Sequence, residues 1–165
     1  MKEATNQTVE KLVEMVKGVR SCMFITHEKN TENLSGRPMG ISRVDADGTM
    51  WFFTKTSSMK VDELTNEAKA SVAIIDENHN NYLMIGGTVA LVHNKMTMNS
   101  LWNPLMKTWF PEGIDDPDMV LLKMTPHEAH YWDSSSSKMV VLFHMLKAIV
   151  TGKEYDEGEH GTIKL

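Results

Sequence analysis

A chain of 165 residues, 41% hydrophobic and 24% charged, has the length of one domain with one core and the composition of an ordinary globular protein, which excludes disorder, collagen-like repeats and low complexity. Its single cysteine, Cys22, excludes an internal disulfide and a zinc knuckle and fits a reducing compartment. The formal charge of −5 runs against nonspecific nucleic-acid binding, which neutralises many phosphates with Lys and Arg.

The first residues lack the apolar stretch of a signal peptide, and no run approaches the roughly 18 apolar residues of a spanning helix. A soluble, cytoplasmic protein with no membrane partner is expected. All three arginines, Arg20, Arg37 and Arg43, fall early in the chain; residues 1–60 carry 9 basic and 7 acidic side chains, residues 61–165 carry 8 and 15. An anionic ligand would meet the first third of the chain.

Val9, Leu12, Val13 and Val16 follow helical spacing and Gly18 offers a stop, predicting an opening helix. Residues 21–27 are apolar and β-branched and read as the first strand, and the polar residues 29–36 as a loop. Residues 39–44 and 49–54 are strand-like and flank Asp45-Ala46-Asp47-Gly48, a hairpin signal. Ser57 and Ser58 then precede a short helix with acidic residues near its start and apolar positions at Val61, Leu64 and Ala68. Residues 70–76 and 82–93 read as a second hairpin, with Gly86-Gly87 as a bulge or close backbone contact. Residues 95–110 have a helical pattern, residues 111–118 form an acidic loop bounded by prolines, and 119–125 and 129–133 supply two more strands. A link over 134–137 leads to a terminal helix over 138–150 and a polar, loosely held tail. Six or seven short strands with hairpins and intervening helices predict an α+β domain on an antiparallel barrel.

The segment from Trp51 to Lys60 delivers hydroxyls and an ammonium from a strand end to a helix start. Unpaired amides and the positive dipole end there suit a phosphate dianion; Ser58 and Lys60 add charge-assisted hydrogen bonds and Arg37 a planar fork. On the residues alone an ordinary capped surface helix accounts for the same pattern. Arg37-Pro38-Met39-Gly40 has a proline that stiffens the strand's start and small residues that let a flat ring approach the backbone, or it is an edge strand. Trp51, Trp102, Trp109 and Trp132 serve a core, an interface or an aromatic ligand. His127-x-x-His130 has the wrong spacing for two ligands on a helix, so no metal is expected. No nucleophile elbow, Walker A or dinucleotide fingerprint is present.

Taken in order, Arg37-Pro38-Met39, Asp47-Gly48-x-x-Trp51-Phe52-Phe53-Thr54, Ser58-x-Lys60-Val61, Leu101-Trp102, Trp109-Phe110-Pro111-x-Gly113, Asp116-Pro117 and Tyr131-Trp132-Asp133 resemble the FMN-binding split barrels related to pyridoxamine 5′-phosphate oxidase. The branch of general stress proteins, of the general stress protein 26 type, is the most similar. The resemblance implies one split-barrel domain over residues 1–150, a polar tail over 151–165, and a homodimer with flavin at the subunit interface. It implies that Arg37, Ser58 and Lys60 hold the FMN phosphate and that Phe53, Thr54 and the backbone from Met39 through Gly40 to Ser42, next to Pro38, line the isoalloxazine. Trp102, Trp109 and Trp132 become aromatic walls, some from the partner subunit, and FAD is the alternative cofactor. The Arg-x-x-Leu-Leu-Lys strand of the vitamin-processing oxidases is replaced by Arg37-Pro38-Met39-Gly40-Ile41-Ser42, and their substrate-binding His and Arg pattern is not evident after Trp132. The expectation is a flavin-dependent oxidoreductase with a stress-related role that does not oxidise pyridoxamine phosphate. A non-catalytic flavin binder or sensor is the alternative, and an interaction module with an empty cradle the third reading.

Overall fold

The computed structural model describes residues 2–133 and 159–164, so the terminal helix expected over 138–150 lies outside the described residues. Helix α1 (Lys2–Val16) ends at Gly18, whose φ of 81° is the left-handed conformation that favours glycine. Leu12 and Val16 of the expected stripe are buried together with Met15, and Val9 and Val13 are half-buried.

The strands are β1 (Ser21–His27), β2 (Leu34–Gly40), β3 (Arg43–Val44), β4 (Met50–Lys55), β5 (Lys69–Asp76), β6 (Asn81–Val92), β7 (Met119–Asp133) and β8 (Glu159–Lys164). They form one antiparallel sheet in the order β2-β1-β5-β6-β7-β4-β3. The two outermost strands, β2 and β3, are consecutive in the chain. At Ile41 and Ser42 the backbone leaves one margin and joins the other: the Ile41 amide donates to the Arg20 carbonyl (2.9 Å) and the Ser42 amide to that of Trp51 (2.8 Å). That step curls the sheet into an antiparallel split β-barrel of the α+β class, as expected.

Alternation sorts the side chains. Cys22, Phe24 and Thr26 of β1, and Ala70, Val72 and Ile74 of β5, are buried, while their neighbours face outward. The barrel core gathers Phe24, Phe52, Val72, Ile74, Ile85, Leu122 and Met124 with α1, and Phe24 meets Phe52 edge-on at 5.2 Å. Strand β4 is buried on both faces: Met50 and Phe52 turn to the barrel, Trp51 and Phe53 to a second cluster. That cluster is covered by α3 (Lys95–Leu101), with Met98 and Leu101, and by Phe110. Cys22 is buried, and burial pushes its thiol up to about 12, which leaves it inert.

The structure differs from the sequence reading in five places. Strand β2 begins at Leu34, inside the expected loop, and the strand expected over 39–44 is broken at Ile41–Ser42 by the passage between margins. The helix expected over 95–110 ends at Leu101, and Pro104 opens a separate 3-10 turn, Pro104–Thr108; proline donates no amide and turns the preceding residue away from helix. The two strands expected over 119–133 are one, β7, whose register shifts opposite Gly86 and Gly87. The bulge absorbs Pro126 and turns His127 and Glu128 both to solvent. Finally, part of the tail expected to be loosely held is strand: β8 pairs with β7 from Glu128↔Lys164 to Asp133↔Glu159, anchored by Ile163 in the barrel core.

Candidate functional site

Helix α2 (Met59–Asn66) follows β4 by a loop of three residues. Asp118 fixes that loop: its carboxylate accepts from the Ser57 amide (2.9 Å) and hydroxyl (2.7 Å), and its carbonyl from the Thr56 amide (2.7 Å). The Ser57 hydroxyl, then the Ser57 amide, hold the Asp118 carboxyl below its ordinary value.

Ser58 is the N-cap of α2 but makes no side-chain cap hydrogen bond. Its hydroxyl turns to that of Thr54, 3.3 Å away, so the first amides of α2 keep no side-chain acceptor. Lys60 Nζ donates to Thr54 Oγ1 at 2.8 Å. Burial, and next the Arg37 guanidinium, push the Lys60 ammonium below the usual lysine range, with Glu63 opposing.

Arg37 is an inward-facing residue of β2, opposite Phe24 in register. Its Nη2 donates to Thr26 Oγ1 (2.9 Å) and to Glu63. Thr26 in turn donates to Glu63 Oε2 at 2.5 Å. Thr26 and Glu63 are 1% and 6% exposed. Strands β1 and β2, the end of β4 and the first two turns of α2 thus converge on one point, with two cations against the one carboxylate of Glu63, the paired Thr54 and Ser58 hydroxyls, and a helix start without a side-chain cap. An anion is the chemical complement of that set.

The structure therefore brings together Arg37, Thr54, Ser58 and Lys60. Phe53 lies across β4 from Thr54, with the rings of Trp102 at 6.2 Å and Phe110 at 6.3 Å. Trp109, in the same region, is 59% exposed. Pro38 and Gly40 are exposed on β2, whereas the Met39 side chain is turned into the barrel core, leaving only its backbone to line a ligand. Trp132 is not with the others. It is 45% exposed on the outer face, beside Tyr82 and, one strand on, Ile75, four residues and roughly 13 Å along β5 from Ser71, the partner of Ile25.

Sequence reasoning missed Thr26, Glu63 and Asp118. The signal for Glu63 is its place one turn after Lys60 on the same face of α2. Thr26 is a hydroxyl at an inward position of β1. Asp118 lies in the acidic loop expected over 111–118, where nothing in the sequence sets it apart from its acidic neighbours.

The outer face of β1, β5, β6 and β7 also carries a hollow of about 400 Å³ lined by Ile25, Leu34, Ser71, Met84, Gly86 and Glu128 among others. Met23, Leu34, Ile75, Tyr82, Met84 and Trp132 leave this side strongly apolar and exposed. No helix among the described residues is long and apolar enough to cross a membrane.

Comparison with known proteins agrees with this fold. A solved structure described as a general stress protein 26 from Jannaschia sp. CCS1 superposes with a TM-score of 0.74 at 24% identity, over 100% of both chains. The general stress FMN/FAD binding protein of Xanthomonas citri does so with a TM-score of 0.66 at 24% identity, over 83% of this chain and 93% of that one. Protein bli-3 of Neurospora crassa is 22% identical over 157 residues, 90% of this chain and 75% of its own length. The model of the family described as pyridoxamine 5′-phosphate oxidase like matches residues 7–156, nearly the whole chain, and the protein belongs to that family.

Proposed function

We propose that this protein binds FMN, holding its phosphate with Arg37, Ser58 and Lys60, and works as a flavin-dependent oxidoreductase with a stress-related role. The observation that carries the reading is the uncapped start of α2. An N-cap serine whose hydroxyl turns to Thr54 and not to its own helix, beside a lysine that burial and next the Arg37 guanidinium push below its ordinary value, leaves a surplus of positive charge at a helix start. A phosphate monoester, with its charge of about −1.5 to −2 at neutral pH and three acceptor oxygens, fits that set. Family membership and a structural neighbour whose name is FMN/FAD binding support the same cofactor. FAD is the alternative occupant.

A bound flavin supplies hydride transfer at its N5. The chain's part is to bind and orient it: Arg37 and Lys60 offset the phosphate charge, Ser58 and Thr54 offer hydroxyls, and the backbone from Met39 to Ser42 stands where small residues leave room for a flat ring. Phe53 and Trp102, in contact on the face of β4 opposite Thr54, and the exposed Trp109 are the aromatic groups offered to a ring.

The apolar outer face supports a homodimer, with Trp132 meeting flavin only as a residue of the partner subunit. A cytoplasmic location accords with Cys22 standing reduced. The segment from Arg37 to Ser42 departs from that of the vitamin-processing oxidases, which supports a substrate other than pyridoxamine phosphate.

The test is a visible absorption spectrum of the purified protein after gel filtration, with and without added FMN, and in a second arm FAD. Flavin bands that stay with the protein and weaken in a Ser58→Ala, Lys60→Ala double variant are the expected result. Protein that stays colourless at micromolar FMN would sink the reading.

A further inference from the structure

We propose that Glu63 is a positioning residue for phosphate recognition: through its bond to Arg37 Nη2 it sets where the rest of the guanidinium points, without touching the phosphate itself. The inference rests on the flavin-phosphate reading above.

Three observations carry it. Glu63 is the one charged residue in the buried class among the described residues, 6% exposed on α2, and it reaches back to Thr26 of β1 and Arg37 of β2 rather than to solvent. Arg37 uses only Nη2 for Glu63 and Thr26; among the described residues its Nε and Nη1 have no hydrogen-bond partner. Because the guanidinium is planar with its donors in a fixed fork, holding one nitrogen at two points orients the other two. Thr26 closes the triangle by donating to the same carboxylate oxygen that receives Arg37, so the carboxylate has little freedom to swing.

Stability alone does not call for such an arrangement. Apolar residues of similar volume commonly serve a fold as well as a buried ion pair. The carboxylate also subtracts one charge from a cradle that must attract an anion, so a purely electrostatic role would weaken phosphate binding. A geometric role has the opposite sign, and the two are separable by substitution. Glu63→Asp keeps the charge and withdraws it by one methylene; Glu63→Gln keeps the length and removes the charge.

The experiment measures the dissociation constants of FMN and riboflavin, by quenching of flavin fluorescence, for the wild type and both variants. Riboflavin lacks the phosphate, so the ratio of the two constants reads phosphate recognition and is insensitive to general loosening of the fold. We expect Glu63→Asp to cut the preference for FMN by about tenfold, the equivalent of one charge-assisted hydrogen bond, with riboflavin affinity unchanged, and Glu63→Gln to cut it less. A Glu63→Asp protein with the wild-type ratio, or a Glu63→Gln protein with a raised one, would overturn the proposal while leaving the cradle standing. A wild-type ratio near one would instead overturn the cradle, and this inference with it. Should Glu63→Asp fail to fold, Thr26→Val, which removes the hydroxyl shared by Arg37 and Glu63, carries the test; the expected loss is about threefold, and an unchanged ratio overturns the proposal.

Discussion

The Ser58 hydroxyl lies 3.3 Å from that of Thr54 and does not cap the helix that Ser58 begins. Lys60 completes the group at 2.8 Å from Thr54, half-buried and beside Arg37. Burial and the Arg37 charge disfavour the Lys60 ammonium, and the single carboxylate of Glu63 offsets only part of that. Lys60→Met, which keeps the apolar stem and removes the charge, is therefore expected to raise the melting temperature of flavin-free protein. The same change should weaken FMN by about 30-fold, near 2 kcal/mol for a charged partner lost. Calorimetry without flavin and an FMN titration check the two signs, and a lowered melting temperature would contradict the reading of Lys60 as a strained cation.

Three carboxyls give the chain an acid limit. Asp47, Asp76 and Asp118 are held below their ordinary 3.8, first by the Thr49 amide, the His79 ring and the Ser57 hydroxyl respectively. A group whose folded pKa is depressed contributes its stability fully above the unfolded value and loses it as pH falls through the folded one. Melting temperature should therefore be insensitive to these groups above about pH 5 and should drop below 3.8. Asp118→Asn should soften that drop, and because Asp118 holds the loop before α2 it should also weaken FMN binding at pH 7.

Gly87 lies where β6 meets the bulge of β7. A Cβ there would stand 2.3 Å from the Thr125 carbonyl oxygen and 3.0 Å from Pro126 Cα, both backbone atoms. Gly87→Ala must displace one strand and is expected to cost about 2 kcal/mol, read as a lowered urea midpoint. Gly86→Ala, whose Cβ meets only the Glu128 side chain at 3.7 Å, should cost far less.

How much of this was legible depended on whether the cause was local. The β3–β4 hairpin follows from Asp47-Gly48, where Gly48 takes a φ of 83°, and the Gly86-Gly87 irregularity from two glycines inside a strand. Thr54, Ser58 and Lys60 could be foreseen as a group because strand end, hydroxyl and ammonium occur in a short stretch, whereas Arg37, on another strand, was suggested by the basic first third of the chain and by the family resemblance. Strand β8 could not: in Glu159–Lys164 only Ile163 is an apolar anchor, and its partner in β7 is 34 positions earlier. Nor could the Thr26–Glu63 bond, between residues 37 apart, since periodicity marks which positions turn inward but not which polar groups meet there. The helix that ends at Leu101 was legible at Pro104 and was overrun by an apolar pattern that continues through it.

If the outer face is a dimer surface, its exposed anchors should be sensitive to charge. Trp132→Glu and Tyr82→Glu alter adjacent residues of β7 and β6 on that face and leave the barrel core untouched. Sedimentation is expected to show a dimer for the wild type and a monomer for the double variant, with flavin retention lost alongside. A wild-type monomer, or a double variant that stays dimeric, would remove this face from consideration.

Ile163 buries the last described strand against the barrel core, and Ile163→Ala should cost about 2 to 4 kcal/mol, measured by denaturant unfolding. Removal of residues 159–165 should do more, because it also bares the β7 edge from Glu128 to Asp133.

The passage of the chain from β2 to β3 through Ile41 and Ser42 has a kinetic corollary. Most open sheets can fray from either border independently; here one dipeptide belongs to both borders, so neither can peel away without pulling on the other. The amides of Ile41 and Ser42, bonded to Arg20 on one side and Trp51 on the other, should therefore exchange with solvent at a common slow rate. Arg37 sits four residues before that seam, so the cradle's arginine is tethered to a place that opens only when both borders do.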